Sequence, residues 1–275
     1  MSPSSTKASS GIFKPAAMAL LGAVLVLSPT IGSAADDGSK ETTIVLVHGA
    51  MADSSSWSAV VPKLQAKGFP VIAAANPLRS LKSDAEYVSG LLKSIKGPIV
   101  LVGHSYGGYV ITNAVAGNTN VKALVYVAAF APDAGESAFD LVGKFPGSIL
   151  GGALAPPVAL GGGGNDLYVD QAKFKEPFAA DVSDTQAKIM AATIRPVTDI
   201  ALKEPSGSPA WKTVPSWFVY GTADKSIPAA AHVFMAERAG AKKVIAVEGA
   251  SHVVMISHAD VVAEVIEEAA SSSNK

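Results

Sequence analysis

The residues of this chain that could do chemistry begin with a serine inside a glycine-rich turn. Ser105 lies in the sequence GHSYGG, between Gly103 and Gly107 and directly after the apolar run 99–102. An apolar-periodic segment follows at residues 109–116, so the pattern predicts a strand, a sharp turn and a helix. Small residues on both sides of the serine let the strand and the helix approach closely and hold the hydroxyl out at the strand end. The spacing therefore predicts that Ser105 is a nucleophile.

A serine hydroxyl is a weak nucleophile until a base removes its proton, and that base needs an acid to orient it. Asp224 and His252 come just after two further apolar runs, at residues 215–220 and 243–247. The carboxyl ends of parallel strands meet at one edge of a sheet, so these side chains are expected to converge on Ser105. The predicted catalytic residues are therefore Ser105, His252 and Asp224.

Other titratable residues also lie near these segments. Asp133, just past another apolar run, remains an alternative acid because a carboxylate there could also reach the base. His48 and His104 are interpreted as residues that support turns, and His232 and His258 as residues on helix surfaces.

An attack by Ser105 on a carbonyl produces an oxyanion that needs two N–H donors. The predicted donors are the backbone N–H of Tyr106, directly after the nucleophile, and that of Ala50, with Met51 next in the same loop. Met51 is also expected to contact the substrate, together with five aromatic residues that are expected to form an apolar pocket: Phe145, Tyr168, Phe174, Phe178 and Trp211.

The elements that position these residues alternate between apolar runs and helical periodicity, which predicts parallel strands joined by right-handed crossovers. One α/β core is expected in two parts, residues 36–131 and 214–275, with one of its helices over residues 57–67. Residues 132–213 lack this alternation of strand and helix patterns, but their aromatic residues make the segment too apolar for a flexible linker. This segment is therefore expected to be a mostly helical cap over the carboxyl edge of the sheet.

The first 35 residues differ in composition from the rest of the chain. Two lysines, Lys7 and Lys14, precede an apolar run at residues 16–27, and small residues follow. This pattern predicts a secretory signal peptide over residues 1–35 that is cleaved after Ala34 or Ala35, and so a secreted or periplasmic protein. A membrane anchor is disfavoured because the run is shorter than the ~20 residues that span a bilayer.

The composition narrows the classes of function. Of the 275 residues, 49% are hydrophobic and 16% charged, which allows a large core, and the formal net charge is −1. This balance gives no reason to expect a nucleic acid or an anionic membrane as a partner. The chain has no cysteine, which excludes thiol catalysis, and its five histidines show no metal-ligand spacing. No metal and no cofactor are expected.

Four motifs, LVHGA, GHSYGG, YGTAD and ASHVVMISH, together resemble the α/β-hydrolase superfamily. The resemblance runs from residue 42 to about residue 270 and is closest to the branch of small capped enzymes with plant methyl esterases, hydroxynitrile lyases and bacterial esterases. It implies an α/β-hydrolase fold with a six-stranded parallel sheet, flanking helices and the cap insertion. The lyases of this branch carry a threonine where Gly49 stands and a lysine where Val253 stands, whereas the relatives with an aspartate nucleophile lack Ser105.

The sequence as a whole predicts an exported serine carboxylesterase that acts on a small or medium-sized neutral ester. The alternatives within the same chemistry are cleavage of a lactone, a thioester or an amide, and peracid formation. A receptor that binds a small molecule and turns it over slowly is a further, less favoured hypothesis, because the three catalytic residue types are all present.

Overall fold

The computed structural model of the chain describes residues 41–272. The predicted signal peptide, residues 1–35, lies outside the described residues, as does its cleavage site after Ala34 or Ala35. None of the helices within the described range combines the length and the apolar composition needed to cross a bilayer.

The described residues form nine strands in two sheets. Their bounds are β1 Thr43–Val47, β2 Val71–Ala74, β3 Ile99–His104, β4 Val121–Val127, β5 Val158–Ala159, β6 Asn165–Leu167, β7 Val197–Thr198, β8 Ser216–Gly221 and β9 Lys243–Val247. The main sheet has six parallel strands in the order β2-β1-β3-β4-β8-β9. This order confirms the α/β-hydrolase fold expected from the motifs.

Most residues of the four inner strands of this sheet are buried because helices cover both faces, and the one exposed residue in them is Lys122 of β4. Strands β1, β3 and β8 have only buried residues, and they are the continuous apolar runs of the sequence. The edge strand β9 instead alternates between half-buried and exposed residues. The apolar core therefore lies around the central strands, whose carboxyl ends form a rigid edge.

Ten α-helices are described. Their bounds are α1 Val61–Ala66, α2 Leu81–Ser94, α3 Tyr106–Ala114, α4 Ala138–Lys144, α5 Lys175–Phe178, α6 Asp184–Thr193, α7 Asp199–Lys203, α8 Ala229–Arg238, α9 Val254–Ser257 and α10 Ala259–Ser272. The prediction of one helix over residues 57–67 was wrong: Ser54–Trp57 is a 3₁₀ turn and α1 begins only at Val61. Pro62, in the first turn of α1, has no N–H to continue a helix from the preceding turn.

The segment between β4 and β8 contains the helices α4 to α7 and a small antiparallel sheet in the order β5-β6-β7. Two arginines outside this segment hold it in place. Arg79 pairs with Asp166 at 2.7 Å and donates to Pro196 O at 2.7 Å. Arg238 makes two hydrogen bonds of 2.8 Å to the carboxylate of Glu136. Paired charges of this kind fix the segment against the core on two sides.

Candidate active site

Ser105 stands at the junction of β3 and α3 in a backbone conformation that side chains rarely adopt. Its φ is 52° and its ψ is −122°, so it is one of the few residues other than glycine with positive φ. The strand before it and the helix after it hold the turn, and Ser105 O accepts a hydrogen bond from Phe130 N at 3.2 Å. This strain places the hydroxyl at the edge of the sheet.

Close packing around the turn explains why its neighbours are glycines. An added Cβ at Gly103 would lie 2.6 Å from Gly107 O, and one at Gly107 would lie 2.3 Å from Val47 O. A Cβ at Gly49, in the loop after β1, would lie 2.7 Å from Ser105 Cβ. Real Cβ atoms do not approach other atoms so closely, so the backbone of this edge is built around these three glycines.

Asp224 follows β8 and makes a short contact with His252, which follows β9. Their atoms His252 Nδ1 and Asp224 Oδ2 lie 2.7 Å apart, and both side chains are buried. Asp224 Oδ1 accepts the backbone N–H groups of Ser226 and Ile227 at 2.8 and 2.9 Å. Burial would raise the pKa of Asp224, but the charge and hydrogen bonds of its histidine neighbours hold it well below its usual range. The carboxylate is therefore ionised and accepts a hydrogen bond from an N–H group of His252.

A buried histidine links His252 to the turn that holds Ser105. His104, the residue before the serine, contacts the carbonyl oxygen of His252 through Nε2 at 3.1 Å, and the two rings lie 4.8 Å apart. Burial lowers the pKa of His104 well below its usual value, so its ring is neutral and donates one N–H. The backbone of His252 is thus tied to the strand that ends at Ser105.

The predicted oxyanion donors lie beside the serine. Tyr106 is the first residue of α3, where a backbone N–H has no partner within the helix. Ala50 and Met51 line the same cavity as Ser105 and Tyr106. The Tyr106 hydroxyl donates to the buried carboxylate of Asp84 at 3.0 Å, which fixes its side chain away from the donor position. The two residues predicted to supply the N–H donors, Ala50 and Tyr106, therefore lie in the wall of the cavity that contains Ser105.

A cavity of about 350 Å³ opens above Ser105 between the sheet edge and the segment that joins β4 to β8. Its lining contains no charged side chain, and its only hydroxyls from serine belong to Ser105, Ser148 and Ser226. Most of its wall is apolar: Phe130, Phe139, Val142, Leu150, Leu154, Leu167, Phe178, Leu202 and Ile227. Elsewhere in residues 41–272, no group of three or more histidine and carboxylate side chains is arranged to hold a metal ion.

Comparison with known proteins agrees with this fold. A model of the alpha/beta hydrolase family matches residues 44–265. The chain belongs to the alpha/beta hydrolase family. An alpha-hydroxynitrile lyase from Arabidopsis thaliana is 25% identical in an alignment 237 residues long, which covers 78% of this chain and 91% of that protein.

Two solved structures of alpha/beta hydrolases show the same fold. Polyneuridine aldehyde esterase aligns with a TM-score of 0.71 and 20% identity, covering 83% of this chain and 99% of its own. An extracellular alpha/beta-hydrolase from a Paenibacillus species, described as sharing structural and functional homology with tobacco salicylic acid binding protein 2, aligns with a TM-score of 0.68 and 22% identity. That alignment covers 84% of this chain and 99% of the Paenibacillus chain.

The aromatic residues expected in the pocket of this alpha/beta hydrolase are only partly there. Phe178 lines the cavity, whereas Phe174 lies outside its lining and stacks on Phe178, with ring centres 5.0 Å apart. The expectation was also wrong for three others, which do not line the cavity. Phe145 packs on Phe234, whereas Trp211 donates its indole N–H to a backbone carbonyl at the start of the segment. Tyr168 is half-buried beside the bridge between Leu154 and Val169.

Two interpretations of titratable residues are also corrected. The carboxylate of Asp133 pairs with Lys212 at 2.7 Å in a partly exposed position, and the carboxylate that contacts His252 is that of Asp224. His232 is not a surface residue: it is 1% exposed, and its Nε2 lies 3.2 Å from Asp224 Oδ2. Sequence reasoning missed this contact, although His232 shares a helix face with the buried residues Met235 and Ala236. By contrast, His48 has the expected structural role, with its Nδ1 2.9 Å from Gly49 O.

Proposed function

We propose that the chain is a serine hydrolase that cleaves a small or medium-sized neutral carboxylic ester through an acyl-enzyme. The observation that carries this proposal is the 2.7 Å contact of His252 with the ionised Asp224, at the sheet edge where the strained Ser105 opens into an apolar cavity. A nucleophile, a base and an acid at the carboxyl ends of β3, β9 and β8 in one parallel sheet are what acyl transfer needs.

In the proposed mechanism, His252 takes the hydroxyl proton of Ser105 as the serine oxygen attacks the ester carbonyl. Asp224 keeps the His252 ring in one tautomer and stabilises the imidazolium cation that forms. The backbone N–H groups of Tyr106 and Ala50 stabilise the oxyanion. His252 then protonates the leaving alcohol, and a water molecule, activated by the same base, releases the acid from Ser105.

The cavity supports a neutral substrate. A charged group on the substrate would lose its hydration in a site with no opposite charge to pair with it, which costs several kcal/mol. The volume of about 350 Å³ limits the substrate to small or medium size. Helix α4 and residues 150–154 contribute to its wall, which supports the proposal that residues 132–213 are a cap over the active site.

Cyanohydrin cleavage is the second candidate, because the Arabidopsis relative is a hydroxynitrile lyase. Two positions oppose it. A threonine side chain at Gly49 would begin with a Cβ only 2.7 Å from Ser105 Cβ. Val253, where the lyases carry a lysine, is 2% exposed and apolar. Neither the side chain nor the cation of the lyase pattern is present, which favours hydrolysis.

The protein is also proposed to be exported, on the strength of residues 1–35 and of the extracellular Paenibacillus structure. Mass spectrometry of the secreted protein tests this, because cleavage after Ala34 or Ala35 would leave Ala35 or Asp36 as the first residue. A mature chain that retains Lys7 and Lys14 would refute the signal peptide.

The function is tested with purified protein lacking residues 1–35 on p-nitrophenyl acetate and butyrate. We expect Ser105→Ala to lower kcat/KM by a factor on the order of 10³ or more and Asp224→Asn by about 10⁴. Asp133→Asn is the matched control and should keep the wild-type rate, because Asp133 lies on the surface. An inert wild type, or an active Ser105→Ala variant, would refute the proposal.

The related reactions are separated by a panel of substrates. It contains lactones, thioesters and amides, and, for peracid formation, hydrogen peroxide together with short carboxylic acids. A preference for any of these over esters would move the proposal to that reaction on the same residues. Tight binding of a small molecule with negligible turnover across the panel would instead indicate a receptor.

A further inference from the structure

A second histidine contacts the acid of the proposed catalytic residues. Asp224 Oδ2 lies 2.7 Å from His252 Nδ1 and 3.2 Å from His232 Nε2, and the side chains of all three residues are at most 1% exposed. The same carboxylate oxygen therefore lies between two imidazole rings, one from the loop after β9 and one from α8.

An ionised carboxylate can only accept hydrogen bonds, so the nitrogen that each histidine directs at Asp224 must carry a proton. Four N–H groups thus surround the carboxylate. The backbone groups of Ser226 and Ile227 hold Oδ1, and the two histidines hold Oδ2. Full pairing of this kind is what allows a carboxylate to stay ionised in a buried site.

The position of His232 is fixed independently of the site. Its ring stacks on Tyr220 of β8, with ring centres 4.8 Å apart and planes 17° apart. Residues on the same helix face, Met235 and Ala236, are also buried. Because α8 and β8 hold the ring from two sides, its N–H reaches Asp224 without any rearrangement.

We propose that His232 is a positioning residue, which donates its Nε2–H to Asp224 Oδ2 and so holds the carboxylate in the orientation that His252 requires. This inference rests on the proposed function of Ser105, His252 and Asp224. His232 is 1% exposed and lies outside the cavity lining, so it is proposed to act through Asp224.

The contact also sets how strongly Asp224 attracts the proton of His252. A donor on the same oxygen withdraws negative charge from it, so its removal strengthens the attraction for the imidazolium form of His252. The groups that face this pair are the ring of Tyr220 on β8, the neutral ring of His104 on β3, the ring of Phe178 on α5 and the amides of Ser226 and Ile227. None of these carries a charge that would offset the loss.

The test compares two variants of opposite chemistry. His232→Phe keeps a flat ring on Tyr220 but has no donor, whereas His232→Gln places an amide N–H at the reach of the histidine Nε2. We expect kcat/KM for p-nitrophenyl butyrate to fall about tenfold in His232→Phe, with the acid limb of its pH profile about one unit higher. His232→Gln should stay within about threefold of wild type, with its acid limb at the wild-type position.

A second readout does not depend on turnover. NMR of ring-labelled histidine, titrated against pH, follows the protonation of His252 in both variants, with His252→Ala used to assign its signal. A midpoint about one unit higher in His232→Phe, restored in His232→Gln, supports the inference even if no ester is cleaved, in which case only the proposed function fails.

The inference is overturned if both variants give the wild-type NMR midpoint and pH profile, whatever their stability. It is also overturned if His232→Gln and His232→Phe are impaired equally, because then packing and not the N–H group would matter. His232→Leu, which also lacks the donor, replaces His232→Phe if the larger ring prevents folding.

Discussion

The addition of one methyl group at Gly49 is the most direct perturbation of the active-site packing. A Cβ at this position would lie 2.7 Å from Ser105 Cβ and 2.9 Å from His104 O. Carbon atoms in favourable contact are about 3.5–4.0 Å apart, so the serine turn would have to move by about 0.8 Å or more. These two nearest atoms are a Cβ and a backbone oxygen, so no side-chain rotation can relieve the overlap with them, and the ring nitrogen His104 Nδ1 also lies 3.0 Å from the added Cβ.

A displacement of about 1 Å at a catalytic group can lower a rate by about 10². We therefore expect Gly49→Ala to lower kcat/KM for p-nitrophenyl butyrate about 100-fold. Overpacking should also lower the free energy of unfolding, measured in urea, by about 1–3 kcal/mol. Gly90→Ala is the matched control, because a Cβ on this exposed residue of α2 meets no atom within 4 Å. It should leave the activity unchanged and stabilise the fold by about 0.5–1 kcal/mol.

A Gly49→Ala variant with kcat/KM within about threefold of wild type would refute this reasoning. The serine turn would then move freely, and the Gly49 argument against a threonine, and so against lyase chemistry, would no longer hold.

Two further predictions concern stability. Burial lowers the pKa of His48 to about 4, so between pH 6.5 and 4 the unfolded chain holds a proton that the folded chain does not. The free energy of unfolding should thus have its full value above pH 6.5 and fall by up to about 3 kcal/mol as the pH drops to 4. Urea titrations of His48→Gln should show a smaller fall over the same pH range, and an equal fall in both proteins would contradict this. Arg238→Lys should lower the free energy of unfolding by about 1–2 kcal/mol, because lysine cannot reproduce the two hydrogen bonds to Glu136 and the one to Ala131 O. An unchanged urea midpoint would contradict this prediction.

The main sheet could be predicted because its strands are short apolar runs with clear ends. The structure places β9 at Lys243–Val247, the same residues as the apolar run in the sequence, and starts β3 at Ile99, where the run before Ser105 begins. Strands of the second sheet could not be predicted, because β5 to β7 have two or three residues each and include polar ones such as Asn165 and Asp166. Such short strands depend on tertiary contacts, and Asp166 is held by Arg79 from the core.

The residues at strand ends could be located from topology alone, since parallel order brings Asp224 and His252 together wherever the helices lie. Side chains of the segment between β4 and β8 follow no such rule. Trp211 and Phe145 have the composition of a pocket wall, yet their directions depend on how the segment packs. Their hydrophobicity predicts that they are buried, but it does not predict which residues they pack against.

His232 and Asp224 connect the stability of the site with its chemistry. The backbone N–H groups after Asp224 hold one carboxylate oxygen, and without His232 the other oxygen would depend on His252 alone. In the proposed mechanism His252 changes charge twice in each half of the cycle, so its hydrogen bond to Asp224 strengthens and weakens as protons move. His232 takes no part in those transfers, and its ring is fixed on Tyr220. A second donor that stays constant keeps the buried carboxylate paired and oriented throughout turnover, and for this reason its loss should change the pH dependence of catalysis and not only the stability of the fold.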